Sequence, residues 1–401
     1  MNAPDAPGRS VPLTNTAVVG PPAGRLPAVG ALPPARAVTV DLQHGSGDDS
    51  GGLLGLAALA ARALMDTRQR SGPGALARDN AWQTRHRLER RRSSFSFWSA
   101  LDDGLDDVAA SFTASPVPDG DRFAALVRGQ SRLVAAYENN QFTQVARLLE
   151  VCAWGSADQP LGTARTVASL RPSHVADYLT LCREDGFLFH SASSDAERTG
   201  RRAPAPAPVA PPWRGASLVL PWSTATTRVA VAVPVEASAP GAVELAVEIL
   251  GSHGLGGRIG PALRGDRALA YGLSAFQLSR GGSRALAAQA QVSPGNVPEA
   301  SRLLLETIHG VLAGPVPEPE RRAAASRVRT ALLLQVDQPF GAVDELRRTA
   351  CGEATLVETA AAVELRADDG ILPVRRDERP ATAIVGAAPS GSGGLVESTE
   401  P

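Results

Sequence analysis

The chain has 401 residues, of which 43% are hydrophobic and 20% are charged, and its formal net charge at pH 7 is −1. This composition is close to the average of globular proteins and excludes a wholly disordered, collagen-like or coiled-coil chain. Because the net charge is nearly zero, no overall basic field favours nucleic acid or an anionic membrane as a partner. No run of about 18 uncharged apolar residues is present, so we expect no membrane-spanning segment.

The three cysteines, Cys152, Cys182 and Cys351, lack the spacing of a metal site, and their odd number argues against a disulfide framework. We therefore expect a cytoplasmic protein in which Cys152 and Cys182 pack as small hydrophobic side chains. Residues 1–35 are rich in Pro, Gly and Ala and predict a disordered tail rather than a signal peptide.

Residues 36–199 predict a first α+β half-domain. Residues 37–42 alternate like a strand, residues 53–67 form an Ala- and Leu-rich helix, and residues 82–100 indicate two strands. A strand over 187–192 closes this half. The helices expected between these elements cover residues 103–112, 121–138, 142–154 and 172–184.

Repeated Ala-Pro in residues 200–213 predicts an extended linker, and a second half-domain follows over 214–365. It repeats the order of the first half, with a strand over 227–235, a helix over 242–250 and a strand pair over 269–291. Three further helices are expected at 294–312, 319–336 and 342–351, and residues 366–401 are expected to form a flexible tail. The repeated order predicts an internal duplication: an α+β fold of two homologous half-domains, each a mostly antiparallel sheet packed against several helices.

One part of the second half is specific enough to indicate a family. Gly256-Gly257-Arg258-Ile259 is followed by LRGDRALAYGL at 263–273 and by SPGNVPEASRLLLETI at 293–308. This sequence resembles the C-terminal half-domain of the insulinase-like metallopeptidases, the family of pitrilysin and the mitochondrial processing peptidase. The family usually has a Gly-rich turn, Ser-Arg-Leu and then Leu-Arg-Glu-Lys-Arg-Gly-Leu-Ala-Tyr-Ser-Val. The resemblance covers residues from about 35 to 355 and is strongest over 240–310.

The first half resembles the N-terminal half-domain of the same family, in which a helix carries His-x-x-Glu-His. There the two histidines bind zinc and the glutamate acts as general base on the zinc-bound water. The register set by Gly-Leu-Ala puts Ala58, Ala61 and Arg62 at these three positions. Alanine has no ligating atom, and arginine stays protonated and repels zinc. The resemblance thus implies a degenerate zinc motif, with no metal, no cofactor and no catalytic residue in this chain.

Catalytic relatives place their third zinc ligand in the region of Glu138. Without the two histidines, we interpret Glu138 as an ordinary helix-end carboxylate.

Some members of the family act as pairs in which only one subunit carries zinc. The zinc-free subunit has an Arg and a Tyr that reach the substrate at its partner's zinc, and Arg267 and Tyr271 match these positions. A guanidinium can donate to peptide carbonyls and a phenol hydroxyl to a developing oxyanion. Ala268 departs from the family, which has Gly there. On the residues alone, the alternative stays open that Arg267 is a surface residue and Tyr271 a strand-edge aromatic.

The resemblance implies a non-catalytic, substrate-binding subunit of a heterodimeric zinc peptidase. The zinc and the His-x-x-Glu-His motif would belong to the catalytic partner, and the peptide substrate would bind by strand addition. Removal of a leader peptide from a ribosomally made natural product fits a bacterial pair of this size. The alternatives are a scaffolding homologue, like the peptidase-derived core subunits of respiratory complexes, and a stand-alone hydrolase with an unrecognised site.

Three other motifs have simpler interpretations. GSHGLGG at 251–257 lacks the Lys-Ser/Thr of a phosphate-binding loop and predicts a tight turn. RHRLERRR at 85–92 predicts a solvated hairpin face rather than a nucleic-acid site, although contact with an acidic substrate stays open. DDGLDD at 102–107 lacks the spacing of a calcium loop and suits the opening of a helix.

Overall fold

The computed structural model describes residues 36–387 apart from a set of short gaps. The gaps are residues 50, 100–106, 109–110, 113–116, 186, 193–208, 210, 237–238, 252–256, 266, 339, 351 and 371. The tail expected over 1–35 and most of the expected linker at 200–213 therefore lie outside the described residues. The described chain has the α+β fold expected from the sequence, with two separate, largely antiparallel sheets and helices packed against each.

The elements follow one another along the chain, and helices occur between β1 and β2, β3 and β4, β6 and β7, and β8 and β9. They are β1 Arg36–Leu42, α1 Leu56–Leu64, α2 Pro73–Asp79, β2 Gln83–Leu88, β3 Ser93–Ser99, α3 Gly120–Glu138, α4 Gln141–Trp154, α5 Ala164–Ser169, α6 Pro172–Glu184, β4 Phe187–Ala192, β5 Ser217–Pro221, β6 Thr227–Glu236, α7 Ala242–Leu250, α8 Ile259–Arg264, β7 Ala270–Arg280, β8 Ser283–Val292, α9 Val297–Ala313, α10 Glu318–Val336, α11 Gly341–Ala350, α12 Leu356–Asp369, β9 Val374–Arg375 and β10 Ala381–Gly386.

The first sheet has the order β2-β3-β1-β4, and its neighbouring strands are antiparallel. Because side chains alternate along a strand, Val38 and Val40 of β1 share one face with Phe95 and Phe97 of β3. This face and helices α1 and α6 form one hydrophobic core, with Leu59 among the fully buried side chains. The alternation expected for residues 37–42 and the strand pair expected over 82–100 are confirmed.

The opposite face of this sheet is polar and also buried. Thr39 of β1 and Ser96 of β3 lie opposite each other and share a hydrogen bond of 2.8 Å between their hydroxyls. Arg85 of β2 pairs with Ser96 in register, and its guanidinium donates to Asp344 of α11 over 2.6 Å. Helix α11 therefore contacts the polar side of the first sheet.

The second sheet has the order β5-β10-β6-β8-β7, and β9 pairs with β6. Its strands are antiparallel except for β5 and β10, which are parallel. The valines of β6 at 229, 231 and 233 belong to the core formed with helices α7 and α9. The alternate residues Ala230 and Ala232 face the other side, where they pack with Val145, Leu149 and Cys152 of α4. Alanine has a small side chain, so it lets α4 approach the sheet closely.

The contacts divide the chain into two compact units that exchange a helix. Unit 1 consists of residues 36–130, 160–203 and 342–352, and unit 2 of residues 131–159, 204–341 and 353–387, within the described ranges. Helix α4 comes from the first half of the sequence but belongs to unit 2, and α11 comes from the second half but belongs to unit 1. These units differ from half-domains that follow one another along the chain, because α4 buries its apolar side on the alanine face of the second sheet.

The prediction of a flexible tail over 366–401 is wrong for residues 366–386. Helix α12 continues to Asp369, and β10 lies between β5 and β6 in the second sheet. Ala381, Ala383 and Val385 of β10 are fully buried, so this strand is part of the core rather than a tail. Residues 388–401 lie outside the described part of the chain.

Most other expected elements are confirmed within a few residues, including α9 to α11. The expected helix at 103–112 falls mostly outside the described residues, and strand β5 was not expected. No helix in the described ranges has both the length and the apolar character needed to cross a membrane.

The position of β10 generates a prediction for truncated chains. Ending the chain after residue 365 removes a strand that bonds to two neighbours, so we expect loss of the cooperative unfolding transition or an insoluble product. Ending it after residue 387 keeps every described element and should leave the urea midpoint within experimental error. Equal midpoints for the two truncations, measured by circular dichroism, would show that β10 contributes nothing to unit 2.

Candidate functional site

Helix α1, where the zinc motif would lie, is buried on nearly every side. Eight of its nine residues are buried, including Ala58 and Ala61, which are 4% and 2% exposed. Methyl groups offer no lone pair and the Arg62 guanidinium is a permanent cation, so this helix cannot hold zinc. The donor set of a zinc peptidase is therefore missing from the position that the resemblance assigned to it.

The start of α1 is held in place by a glycine and two polar side chains. Gly55 adopts φ +90°, and a side chain there would collide with the carbonyl oxygen of Leu161. The Asp49 carboxylate accepts hydrogen bonds from the backbone N–H groups of Gly55 and Ala57 at 2.9 and 3.0 Å. Gln130 of α3 donates to the carbonyl oxygens of Gly55 and Leu161 at 2.8 and 2.9 Å. These bonds fix the register of α1 against α3.

Arg62 is the one residue of α1 that is not buried, and it faces α3. A Cβ atom placed on Gly129 would lie 2.7 Å from Nη2 of Arg62, so the missing side chain at 129 leaves room for the guanidinium. Glu138 lies nine residues further along α3, about 13 Å away at 1.5 Å per residue. Gly129, rather than Glu138, is thus the residue of α3 that lies against the degenerate motif.

The described histidines and cysteines form no metal centre. His44 binds Asp185 at 2.7 Å and lies 3.5 Å from Asp48. Within the described ranges, no three His, Cys, Asp or Glu side chains come together as ligands. Burial raises the pKa of both Cys152 and Cys182 to about 12, so these thiols stay protonated and pack as small apolar groups.

Arg267 lies between α8 and β7, and its side chain is half exposed. Its Nη1 is 2.6 Å from Oε1 of Glu299, in the first turn of α9. An ion pair this exposed contributes between 0 and about 1 kcal/mol, so Arg267 can exchange Glu299 for another acceptor at low cost. The ion pair is a feature of unit 2 that the sequence did not predict.

Ala268 has φ +46°, a left-handed conformation that L-residues other than Gly, Asn and Asp rarely adopt. This explains why the family text has Gly at this position. The next residue resumes regular bonding, since the N–H of Leu269 donates to the carbonyl of Leu263 over 2.9 Å. The backbone between α8 and β7 thus turns sharply and carries local strain.

Tyr271 lies at a β-bulge. Ala270 pairs with Val292 and Gly272 pairs with Gln291, so Tyr271 is the extra residue of β7. Bulges re-aim side chains and are frequent beside active sites. The Tyr271 side chain is 67% exposed, and Arg264 donates to its carbonyl oxygen over 2.6 Å. Strand β7 ends the described sheet, so Tyr271 lies at an open sheet edge.

A polar group that the sequence analysis missed lies across from the bulge. Gln291 accepts a hydrogen bond from Arg228 at 3.0 Å and donates to Thr226 at 2.8 Å. The Arg228 guanidinium lies over the Phe142 ring at 5.2 Å, and desolvation lowers its pKa. Alternation along β6 and β8 could have indicated that Arg228 and Gln291 share a face, but their pairing register comes only from the fold.

The other motifs have structural partners. Residues 252–256 of the expected turn lie outside the described residues, and Arg258, which follows them, forms two bonds of 2.9 Å to Glu320 of α10. The basic segment 85–92 forms the end of the β2–β3 hairpin, where Arg92 lies 3.2 Å from Glu89 and Arg85 binds Asp344. Most of the acidic segment 102–107 lies outside the described residues.

Asp49 makes the stability of unit 1 depend on pH. Burial raises its pKa from 3.8 to about 6, so the folded chain takes up a proton at higher pH than the unfolded chain. The contribution of Asp49 to the free energy of unfolding therefore increases as pH falls from 7 to 5, by about 1 kcal/mol after allowance for solvent screening. Urea unfolding of Asp49→Asn should lack this component. The exposed Asp79→Asn variant is the control, and parallel pH profiles for all three proteins would contradict the prediction.

Ala268→Gly should relieve the left-handed strain. The strain amounts to about 1 to 2 kcal/mol, and the greater freedom of unfolded glycine offsets part of it, so we expect a net gain of about 0.5 to 1 kcal/mol in unfolding free energy. The matched control is Ala262→Gly inside α8, which should lose about 1 kcal/mol. A loss at both positions in urea titrations would mean that the backbone at 268 is unstrained.

No family model matches the sequence, and no curated protein does. Three solved structures share its fold over 88% of this chain, at TM-scores of 0.66 to 0.68. A peptidase M16 inactive domain from Pseudomonas fluorescens is 15% identical with 93% of its chain covered, and a protease from Helicobacter pylori is 11% identical with 94% covered. A chain of Complex III2 from Candida albicans, solved with Inz-5 bound, is 14% identical with 91% covered. The chain thus has the fold of the M16, or insulinase-like, peptidases.

Proposed function

We propose that this chain is the non-catalytic, substrate-binding subunit of a heterodimeric zinc metallopeptidase. The observation that carries the proposal is the helix α1: the M16 fold is retained, yet Ala58, Ala61 and Arg62 leave no metal ligand where the fold would hold one. Cleavage then needs a second insulinase-like subunit that carries His-x-x-Glu-His and the zinc ion.

The contribution of this chain to the reaction would come from Arg267 and Tyr271. Arg267 is half exposed, and among the described residues its ion-pair partner is Glu299, so its guanidinium is available to the carbonyl groups of a bound peptide. Tyr271 is exposed at a bulge on an open sheet edge, where its hydroxyl can donate to an oxyanion that forms at the partner's metal. The zinc ion, when bound by the partner, activates the attacking water.

The substrate in this proposal is a peptide that adds as a strand to the edge of a sheet. Strand β7 lies at the edge of the described second sheet. The Ala275 N–H already donates to the Gly251 carbonyl over 3.2 Å and the Tyr271 carbonyl accepts from Arg264, so an added strand would bond to other backbone groups of β7. A leader segment of a ribosomally made precursor is the kind of extended peptide that such an edge can hold. This last step rests on analogy with bacterial peptidase pairs and not on a residue of this chain.

A scaffolding role is the second candidate. The likeness to a chain of Complex III2 favours it, because the same fold also occurs in that respiratory assembly. In a scaffold, the Arg267–Glu299 ion pair would simply join the α8–β7 connection to α9, and the exposed Tyr271 would contact no substrate.

Reconstitution distinguishes the two roles. The tagged chain is co-expressed with an insulinase-like subunit that carries the zinc motif, and cleavage of a labelled precursor peptide is measured by mass spectrometry. We expect one zinc ion per heterodimer and cleavage by the pair. Arg267→Ala and Tyr271→Phe should each lower kcat/KM at least tenfold, the loss expected when a hydrogen bond to developing charge is removed.

The control is Arg329→Ala, because Arg329 is equally exposed and forms a similar ion pair with Glu364. It should leave kcat/KM unchanged. Full activity in both Arg267→Ala and Tyr271→Phe would reject the substrate-binding role and leave the scaffold. Zinc-dependent cleavage by this chain alone would support a stand-alone hydrolase instead.

A further inference from the structure

An open cleft of about 500 Å³ lies in unit 1, between the end of α1 and the first half of α3. We call it the arginine cleft. Six charged residues line it: Arg62, Asp66, Arg68, Asp121, Arg122 and Arg128. Four cations against two anions leave a net charge of +2, on a chain whose overall net charge is −1. A concave site with an excess of one charge concentrates ligands of the opposite charge.

Most of the arginines in the arginine cleft have no carboxylate partner among the described residues. Arg122 lies 3.5 Å from Asp66. Among the described residues, no carboxylate forms an ion pair with Arg62, Arg68 or Arg128, and Nε of Arg62 is buried without a hydrogen-bond partner. Burial of an unpaired cationic donor is costly unless a ligand supplies an acceptor.

The absence of a side chain at Gly129 makes room for Arg62 in the cleft. Gly129 stands in the middle of α3, where glycine costs about 1 kcal/mol relative to alanine. A side chain at 129 would push against Nη2 of Arg62, at 2.7 Å. Glycine at position 129 therefore leaves space for the Arg62 guanidinium in the wall of the arginine cleft.

We propose that the arginine cleft binds the carboxylate side chains of an acidic peptide segment. Guanidinium groups match carboxylates with two parallel hydrogen bonds, and these are among the stronger polar contacts in proteins. The cations come from α1, from the turn that follows it and from α3, a spread that suits several carboxylates spaced along an extended chain. Ala125 and Leu126 add an apolar wall for the methylene groups of glutamate side chains.

The two aspartates in the wall disfavour a continuous polyanion such as nucleic acid, because they would repel part of its phosphate backbone. A peptide can place a neutral or basic residue beside Asp121 and carboxylates beside the arginines. This inference rests on the proposed function only in taking the ligand to be a peptide. It concerns residues of unit 1, whereas Arg267 and Tyr271 belong to unit 2.

The test uses the full chain alone and a fluorescein-labelled octapeptide in which four glutamates alternate with Gly and Ser. Binding is followed by fluorescence anisotropy at 50 mM NaCl, beside the same peptide with glutamine in place of glutamate. We expect the glutamate peptide to bind at least tenfold more tightly. Arg62→Gln should weaken its binding about tenfold, and Arg128→Gln should weaken it several-fold. Because Arg128 is exposed, its variant should fold even where Arg62→Gln does not.

The matched control is Arg302→Gln, which removes one exposed arginine of α9 whose partner is Glu306. It should leave the affinity for the glutamate peptide unchanged. Gly129→Ala should weaken binding while the midpoint of urea unfolding stays equal or rises, since alanine favours the helix but displaces Arg62.

Equal affinity for the two peptides, or an equal loss in Arg302→Gln, would overturn the proposal. Displacement of the glutamate peptide by 1 mM inorganic phosphate would assign the cleft to phosphate groups and overturn the assignment to peptide carboxylates. The measurement needs no partner subunit, so its failure leaves the reconstitution result unaffected. Likewise, an inactive pair would leave a positive binding result standing.

Discussion

The close packing of helix α1 is the constraint on which the interpretation of this molecule depends. Leu59 and its alanine neighbours are enclosed by the first sheet and α6, and the start of the helix is tied by Asp49 and Gln130. These contacts fix the direction in which residues 58, 61 and 62 face, and none of the three side chains is a metal ligand.

The exchange of helices links distant parts of the chain to each sheet. Helix α4 lies on the alanine face of the second sheet, and α11 meets the polar face of the first through Asp344. On that polar face Thr39 and Ser96 are buried and bonded to each other. A half of the sequence cut at the Ala-Pro segment would leave each sheet without one of its covering helices.

The strands and helices with clear periodicity could be predicted because their signal is local. The valines of β6 and the alternating residues of β1 indicate a strand whatever lies around them. Strand β10 has a short apolar run, and its partners β5 and β6 come much earlier in the chain. Its inclusion in the sheet depends on non-local pairing, so residues 366–386 were expected to be a tail.

The candidate site also divides into features that the sequence located and features that needed the structure. Arg267 and Tyr271 could be located from the family text, whereas the bulge at Tyr271, the strained Ala268 and the ion pair with Glu299 could not. The arginine cleft was missed for a related reason: Arg62 and Arg128 lie far apart in the sequence, and no spacing rule joins them. Residue type therefore identified individual functional side chains, but it did not show which other residues surround them.

By itself, the sequence determined the α+β class, the order of most elements and the residue types on α1, because each of these follows from local pattern or residue chemistry. Only the tertiary structure decided that β10 is a core strand, that α4 and α11 change units, and that Gly129 gives Arg62 its place beside α3. These features depend on contacts between residues that are distant along the chain. Such contacts are selected by the burial of whole faces, which no short stretch of sequence specifies.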